Sequence, residues 1–433
     1  MRALVISDTH FGTWTADDVL SQERYLKPLL PYLDDIDELI ILGDLFDLLF
    51  GSISDAFTAA TPLLDAVRER LQGKRFVFLA GNHDHRFVVR EAEDLLEMEL
   101  ATGTPASALR KEVARKQGFR RFFELRMEGV EIDVRYPAYM FNGVLLTHGH
   151  YLDPHARLAG PLGSRVLTRA LWAIASGGSE HPTTQGDYES VITLLTETLY
   201  TIAQLPNGTT AQRNAFNAQA KIAQGVHIAA APLRALEGIV GRLRERRHPS
   251  SDPEKPTATV SYADFLREQA NEAQRRVSRS APGAARDLPR YTVARAIHAG
   301  DPRKAGLDAI AQVAINLGWD KETDKIVFAH THQAVDGAQV EATGDLRYWN
   351  TGSWLYEPDL SSHDAYLRYL RNGWPGTAVL IDSDEEAPRV VSPLAELNPL
   401  SGGPGIPWRQ DPPAVSGEDI EAAESESAKE ALG

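Results

Sequence analysis

The chain has 433 residues, with 45 Lys plus Arg against 60 Asp plus Glu, a formal net charge of −15. Hydrophobic residues make up 43%, enough for a large core and too many for a disordered chain, and the length allows two or three domains or one enlarged domain. That acidity repels polyanions and argues against general nucleic-acid binding, while the absence of cysteine removes disulfides, thiolate metal sites and cysteine nucleophiles together.

The first residues, Met1-Arg2-Ala3-Leu4-Val5-Ile6-Ser7-Asp8, run straight into a strand-like apolar stretch with no secretory pattern before it, so export is not expected. A helical stretch through Tyr25-Leu26 and Leu29-Leu30 follows, then a buried-strand run, Leu39-Ile40-Ile41-Leu42. Residues 61–71 predict a helix, with Leu63, Leu64, Val67 and Leu71 at helical spacing, and Phe76-Val77-Phe78-Leu79 a third strand. Alternation of this kind predicts a parallel sheet with helices on its faces.

Residues 91–121 read as helical, 130–136 alternate like a strand with one exposed face, and 143–147 form another buried strand. From 151 to 318 strand runs almost vanish and Ala-rich helical stretches dominate. The longest mildly apolar stretch there, 222–240, is interrupted by Gln224, His227, Arg234 and Glu237 and is a poor bilayer span, so the expectation is a soluble cytoplasmic protein. Residues 234–304 hold 15 Lys plus Arg against 9 Asp plus Glu, a net +6 inside an acidic chain. Such a stretch is either a solvated helix face or a basic cap that attracts an anionic substrate or a lipid surface.

Strands return at Lys325-Ile326-Val327-Phe328, near Leu346-Arg347-Tyr348-Trp349, and at Thr377-Ala378-Val379-Leu380-Ile381. The pattern predicts one α/β core in two parts, residues 1–150 and 319–400, interrupted by a helical insertion or cap over 151–318. Residues 401–433, rich in Gly, Pro, Glu and Ser, are expected to be a disordered acidic tail.

Five polar clusters each follow an apolar strand-like run: Asp8-Thr9-His10, Gly43-Asp44-Leu45-Phe46-Asp47, Gly81-Asn82-His83-Asp84, His148-Gly149-His150 and His330-Thr331-His332. Each alone is a weak signal, since a histidine beside a turn is commonly a surface or hydrogen-bonded residue. Repetition changes the odds, because side chains at the carboxyl ends of parallel strands converge on one crevice. Carboxylates and imidazoles packed together without cations would leave like charges unrelieved. Two divalent cations resolve this, and mixed oxygen and nitrogen donors suit Mn, Fe, Zn or Co better than Ca.

In order, these clusters match the DxH, GDxxD, GNHD, histidine-glycine and HxH blocks of the calcineurin-like metallophosphoesterases, which the chain resembles over residues 1–150 and about 320–382. The resemblance extends to the branch containing UDP-diacylglucosamine pyrophosphohydrolases through Gly43-Asp44-Leu45-Phe46-Asp47, His148-Gly149-His150 with Asp153 shortly after, and Asn350-Thr351-Gly352-Ser353-Trp354. It implies a four-layer α/β/β/α sandwich, here carrying a large helical insertion. It further implies that Asp8, His10 and His332 hold one metal, Asn82, His148 and His330 the other, and that Asp44 bridges them, with manganese the first candidate and Fe, Zn, Co or Mg the others. Two positions depart from the family pattern: Leu48 follows Asp47 where a polar residue is common, and Ala329 precedes His330 where Gly is usual. Ala is tolerable there if its φ is negative.

The implied reaction is attack on phosphorus by a hydroxide bridging the two metals, cleaving a phosphomonoester, phosphodiester or pyrophosphate. His83 is the candidate for protonating the leaving oxygen or stabilising the phosphoryl group; the bland alternative is a hydrogen bond within its loop. Asp47 would orient His10 or His83 through a ring N–H. Asp84 reads as a loop cap or a site residue, and His150 as lining the site or as structural. His85, His155 and His181 are given no role, and residues 350–354 read as a site wall or a tight turn. The expected substrate is a phosphorylated small molecule or a lipid-linked one, with peripheral membrane contact through the basic insertion. Alternatives are a catalytically silent metal-binding scaffold, or a nuclease using the same centre, which would need a continuous basic groove.

Overall fold

The structure is a computed structural model, and it describes residues 1–13, 18–109, 113, 118–155, 182–205, 302–358, 360, 362–407 and 412–430. Most of the expected insertion, nearly all of the basic 234–304 stretch, and His181 lie outside the described residues.

Strands β1 (Arg2–Ile6), β2 (Glu38–Leu42), β3 (Arg75–Leu79) and β4 (Glu131–Arg135) pair in parallel, as the alternation predicts. Strands β5 (Ala138–Phe141), β6 (Val144–Thr147), β7 (Lys325–Phe328), β8 (Val335–Gln339) and β9 (Arg347–Asn350) make a second sheet in the order β5-β6-β7-β9-β8. Strands β10 (Ala378–Asp382) and β11 (Arg389–Val391) return to the first sheet, giving the order β11-β10-β1-β2-β3-β4. The returning strands add antiparallel pairs, β10 with β1 and β11 with β10, so the parallel arrangement predicted for the first part sits within a mixed sheet.

Helices α1 (Ile53–Ala59), α2 (Thr61–Arg70), α3 (Arg86–Thr102) and α4 (Gly118–Arg126) lie in the first part of the chain, α5 (Gln185–Ala203) and α6 (Pro302–Leu317) in the insertion, and α7 (His363–Asn372) and α8 (Gly417–Glu430) near the end. The helical stretch expected over 91–121 starts earlier and breaks after Thr102, where Gly103 takes a left-handed φ of 68° that ends the helix.

Strand alternation builds the layers. Ala3, Val5, Ile40, Leu42, Val77 and Leu79 face Val144, Leu146, Val327 and Trp349 across the interior between the two sheets. The intervening residues of the first sheet, Leu4, Ile6, Leu39, Ile41, Phe76 and Phe78, pack on its helices. On the second sheet's outer face, Leu145, Ile326 and Tyr348 meet Ile310 and Val313 of α6 and Tyr188 and Ile192 of α5. Buried on both faces, the central strands read as continuous apolar runs. This is the four-layer α/β/β/α sandwich.

The acidic tail expected to be disordered from Ser401 onward instead carries α8. Ser416 and Asp419 cap it reciprocally, Asp419 N donating to Ser416 Oγ at 3.2 Å and Ser416 N to Asp419 Oδ2 at 2.8 Å. Val415 and Ala423 pack against the core and His363 Nε2 lies 3.3 Å from Asp419 Oδ1, contacts that a composition argument cannot see. Strand β8 went unpredicted because Val-Asp-Gly-Ala-Gln has little intrinsic preference for strand; its antiparallel pairing with β9 imposes it. Among the described residues no helix is long and apolar enough to cross a membrane.

Leu146 is fully buried between the sheets. Leu146→Ala is expected to cost about 2–5 kcal/mol of stability, read as a lowered urea midpoint; an unchanged midpoint would show that the inter-sheet layer is not the core.

Candidate metal centre

Each expected ligand sits just beyond the carboxyl end of a strand: Asp8 and His10 after β1, Asp44 after β2, Asn82 after β3, His148 after β6, His330 and His332 after β7. Backbone hydrogen bonds lace these loops together, His10 N donating to Asp44 O at 2.9 Å and Ala329 N to His148 O at 3.0 Å. His330 N donates to Asp8 Oδ2 at 3.2 Å, tying the first and last loops across the two sheets.

Five of these residues have left-handed backbones: Asp8 (φ 49°), His10 (46°), Asp44 (52°), His330 (70°) and His332 (58°). Asn142 is the one other non-glycine residue with positive φ among the described residues. Such conformations cost of order 1–3 kcal/mol each and concentrate where surrounding structure fixes side chains for function. Ala329 is not among them, so its departure from the usual Gly carries no backbone strain. Leu48 is fully buried in the helix-side core, so an apolar residue is at home there.

Three groups of side chains bring ligand atoms within 4.8 Å of one another: Asp8, His10 and His332; Asp44, His148 and His330; and His10, Asp44 and His83. His332 Nε2 lies 3.3 Å from Asp8 Oδ1, and His10 Nε2 lies 3.8 Å from that oxygen and 3.6 Å from Asp44 Oδ2. His148 Nε2 lies 3.2 Å from Asp44 Oδ2 and 3.1 Å from Asn82 Oδ1. Asp44 thus faces both ends of the cluster.

The donor set fits divalent cations on two counts. Asp8 Oδ1 and His10 Nε2 are buried with no hydrogen-bond partner among the described residues, and both point at the same place. Buried polar atoms left this way are costly unless a ligand takes them up. Ligand side chains also fill the space over two glycines. A Cβ on Gly43 would overlap the His148 ring, and one on Gly81 would overlap Asp44 Oδ1 and lie 2.8 Å from His148 Nε2.

Carboxylates buttress the rings from behind. Asp47 accepts from His83 Nδ1 at 2.7 Å, which selects His83 over His10 as its partner. Asp84 is a buried clamp, its Oδ1 and Oδ2 accepting from Gly81 N at 2.5 Å and Leu45 N at 2.9 Å, so it joins two ligand loops. Sequence reasoning gave no role to two others, Asp153, 2.8 Å from His330 Nε2, and Glu357, 3.6 Å from His332 Nδ1. Asp153 had a trace in its place shortly after His148; Glu357 had none. Asn350 donates to Ala329 O at 3.0 Å and Thr331 Oγ1 at 3.1 Å, and Trp354 N donates to Asp8 O at 3.1 Å. The 350–354 segment therefore braces the ligand loops from behind. His150 is buried with Nε2 3.2 Å from the Tyr136 hydroxyl, and His85 and His155 point to Glu189 and Tyr188 at 3.0 and 2.7 Å.

Residues 1–175 match the family model described as calcineurin-like phosphoesterase. No curated protein matches the chain. The match takes in Asp8, His10, Asp44, Asn82, His83 and His148, and the fold brings His330 and His332 to the same place from outside it.

Charge in the cluster is balanced by protons when no cation is bound. Burial alone would raise the carboxyls, but His332 and His10 hold Asp8, and His148 and His83 hold Asp44, well below the usual range. Burial likewise opposes charge on the rings, yet Asp44 lifts His148 to about 9, and Asp47 with Asp44 lifts His83 to about 9. Burial and then the neighbouring His148 push His150 well down. Asp84 is raised to about 7 by burial and then by Asp44. A cation must displace the ring protons, so its apparent affinity is expected to rise with pH up to about 9 and level off above. Calorimetry of Mn²⁺ uptake in buffers of different ionisation heat would report the released protons; uptake without proton release would contradict this charge balance.

Proposed function

We propose that this chain, whose residues 1–175 match the calcineurin-like phosphoesterase family model, is a hydrolase that cleaves a phosphomonoester, phosphodiester or pyrophosphate at a dinuclear metal centre. In this reading Asp8, His10 and His332 hold one cation, Asn82, His148 and His330 hold the other, and Asp44 joins them. The observation that carries it is the convergence of seven donors from five strand ends, with Asp44 Oδ2 3.6 Å from His10 Nε2 and 3.2 Å from His148 Nε2. When bound, the cations would supply Lewis acidity, making water more acidic and offsetting charge on phosphoryl oxygens.

The chain's own groups do the rest. His83 stands against His10, their ring centroids 4.4 Å apart, and donates its backbone N–H to Asp44 Oδ1 at 2.8 Å. With Nδ1 engaged by Asp47, Nε2 is the ring nitrogen left to give a proton to the leaving oxygen. Asp47 is a positioning residue here, since it touches the ring and not the reacting atoms. Asn82 offers a neutral oxygen, which keeps the site short of negative charge and therefore receptive to a phosphoryl group. The complete donor set and the His83–Asp47 pair favour an active enzyme over a silent scaffold.

Asp44→Asn is expected to abolish metal-dependent hydrolysis of an aryl phosphodiester; full activity in that variant would overturn the reading. His83→Ala is expected to lower kcat by about 10²–10⁴ while leaving two cations bound per chain. A panel of phosphomonoester, phosphodiester and nucleotide-sugar pyrophosphate substrates, run with Mn, Mg, Fe(II), Co and Zn in turn, would identify the bond. Two bound metals with no turnover on any of them would favour the scaffold.

A further inference from the structure

We propose that Glu189, on the inserted helix α5, is a positioning residue for one cation site, the one offered by Asn82, His148 and His330 with Asp44; the inference rests on the dinuclear reading above. Glu189 is fully buried. Its Oε2 lies 3.0 Å from His85 Nε2, and its Oε1 accepts from the hydroxyls of both Tyr136 and Tyr151. The Tyr136 hydroxyl in turn lies 3.2 Å from His150 Nε2. His85 follows shortly after Asn82 on one loop, and His150 and Tyr151 follow His148 on another. One carboxylate therefore braces both loops that deliver donors to this site. Asp8, His10 and His332 have other supports, namely Ser7, Asp44 O and Glu357.

Docking the helix does not require this acid. Arg86 Nη1 holds Glu197 Oε2 at 2.6 Å, and the Gln204 side chain accepts from Ile53 N at 3.2 Å and donates to Gly51 O at 3.1 Å. Tyr188 and Ile192 add apolar packing on the second sheet. A buried carboxylate is expensive unless every lone pair finds a donor, and well-packed apolar side chains commonly replace such groups at no loss of stability. What an apolar side chain could not do is hold His85 and Tyr136 by directional bonds, and His150, bonded to Tyr136, lies with its ring centroid 5.4 Å from that of His148. Outer supports of this kind typically change metal affinity by 10–100-fold.

The test is Mn²⁺ binding to the full-length protein by calorimetry, with electron paramagnetic resonance to distinguish a coupled pair from an isolated ion. Wild type is expected to bind two ions. Glu189→Ala should weaken one of them by about 10–100-fold and leave the other unchanged, so that the coupled signal gives way to that of a lone ion. Glu189→Gln, which keeps an oxygen for the two tyrosines, should recover part of the affinity, and Tyr136→Phe, which removes the hydroxyl that joins Glu189 to His150, should weaken the same ion. Those two variants carry the test if Glu189→Ala fails to fold. Variants that melt earlier but bind both ions as wild type does would overturn the inference alone. Wild-type protein that binds fewer than two ions would overturn it together with the dinuclear reading, whereas two ions, the selective loss and no phosphoester turnover would uphold Glu189 and remove only the hydrolase.

Discussion

Two carboxylates, Asp8 and Asp44, are buried at the ends of adjacent parallel strands, and the arrangement of the whole site follows from keeping them there. Parallel pairing of β1 and β2 fixes their spacing. Neither can be solvated, and two such charges side by side repel unless something positive lies between them. The fold brings five imidazoles within reach, from His10, His83, His148, His330 and His332. In the cation-free state protons on His83, His148 and His332 meet the demand. Divalent cations would meet it more completely, because they would also take up Asp8 Oδ1 and His10 Nε2, which are buried without a hydrogen-bond partner among the described residues.

Holding donors this closely requires backbone conformations that most residues avoid. Asp8, His10, Asp44, His330 and His332 all adopt left-handed φ, and Asp and His bear that at lower cost than β-branched residues would. The glycines of the GD and GN pairs act differently: they remove the Cβ atoms that would collide with His148 and Asp44. Strain and close approach are held in place by the buried sheets beneath, whose two-sided apolar packing leaves the loops little freedom.

Much of this was legible in the sequence because it is periodic or local. Leu39-Ile40-Ile41-Leu42 announces a buried strand, and the polar residues at its end announce where the crevice lies. What could not be read depends on long-range pairing. Strand β8 exists only against β9, and α8 holds its place through capping and a few contacts with the core. Likewise, Glu357 reaches His332 and Glu189 reaches His85 only because separate segments fold onto one another. No local spacing marks either acid as different from the many exposed ones.

The position of the insertion in the chain order sets it beside the candidate metal centre. Strands β6 and β7 are parallel neighbours, so the chain leaving β6 must cross back over the sheet before β7 begins. Helix α6 lies against the outer face of the second sheet just before β7, as that return requires. Extra chain added upstream of α6 therefore departs from the carboxyl end of β6, which is the end where His148 stands. Helix α5 belongs to that added chain, and its Glu189 enters the core beside the ligand loops. Sequence added at this junction is thus placed by topology next to the candidate site, where it would brace the loops without contributing a ligand.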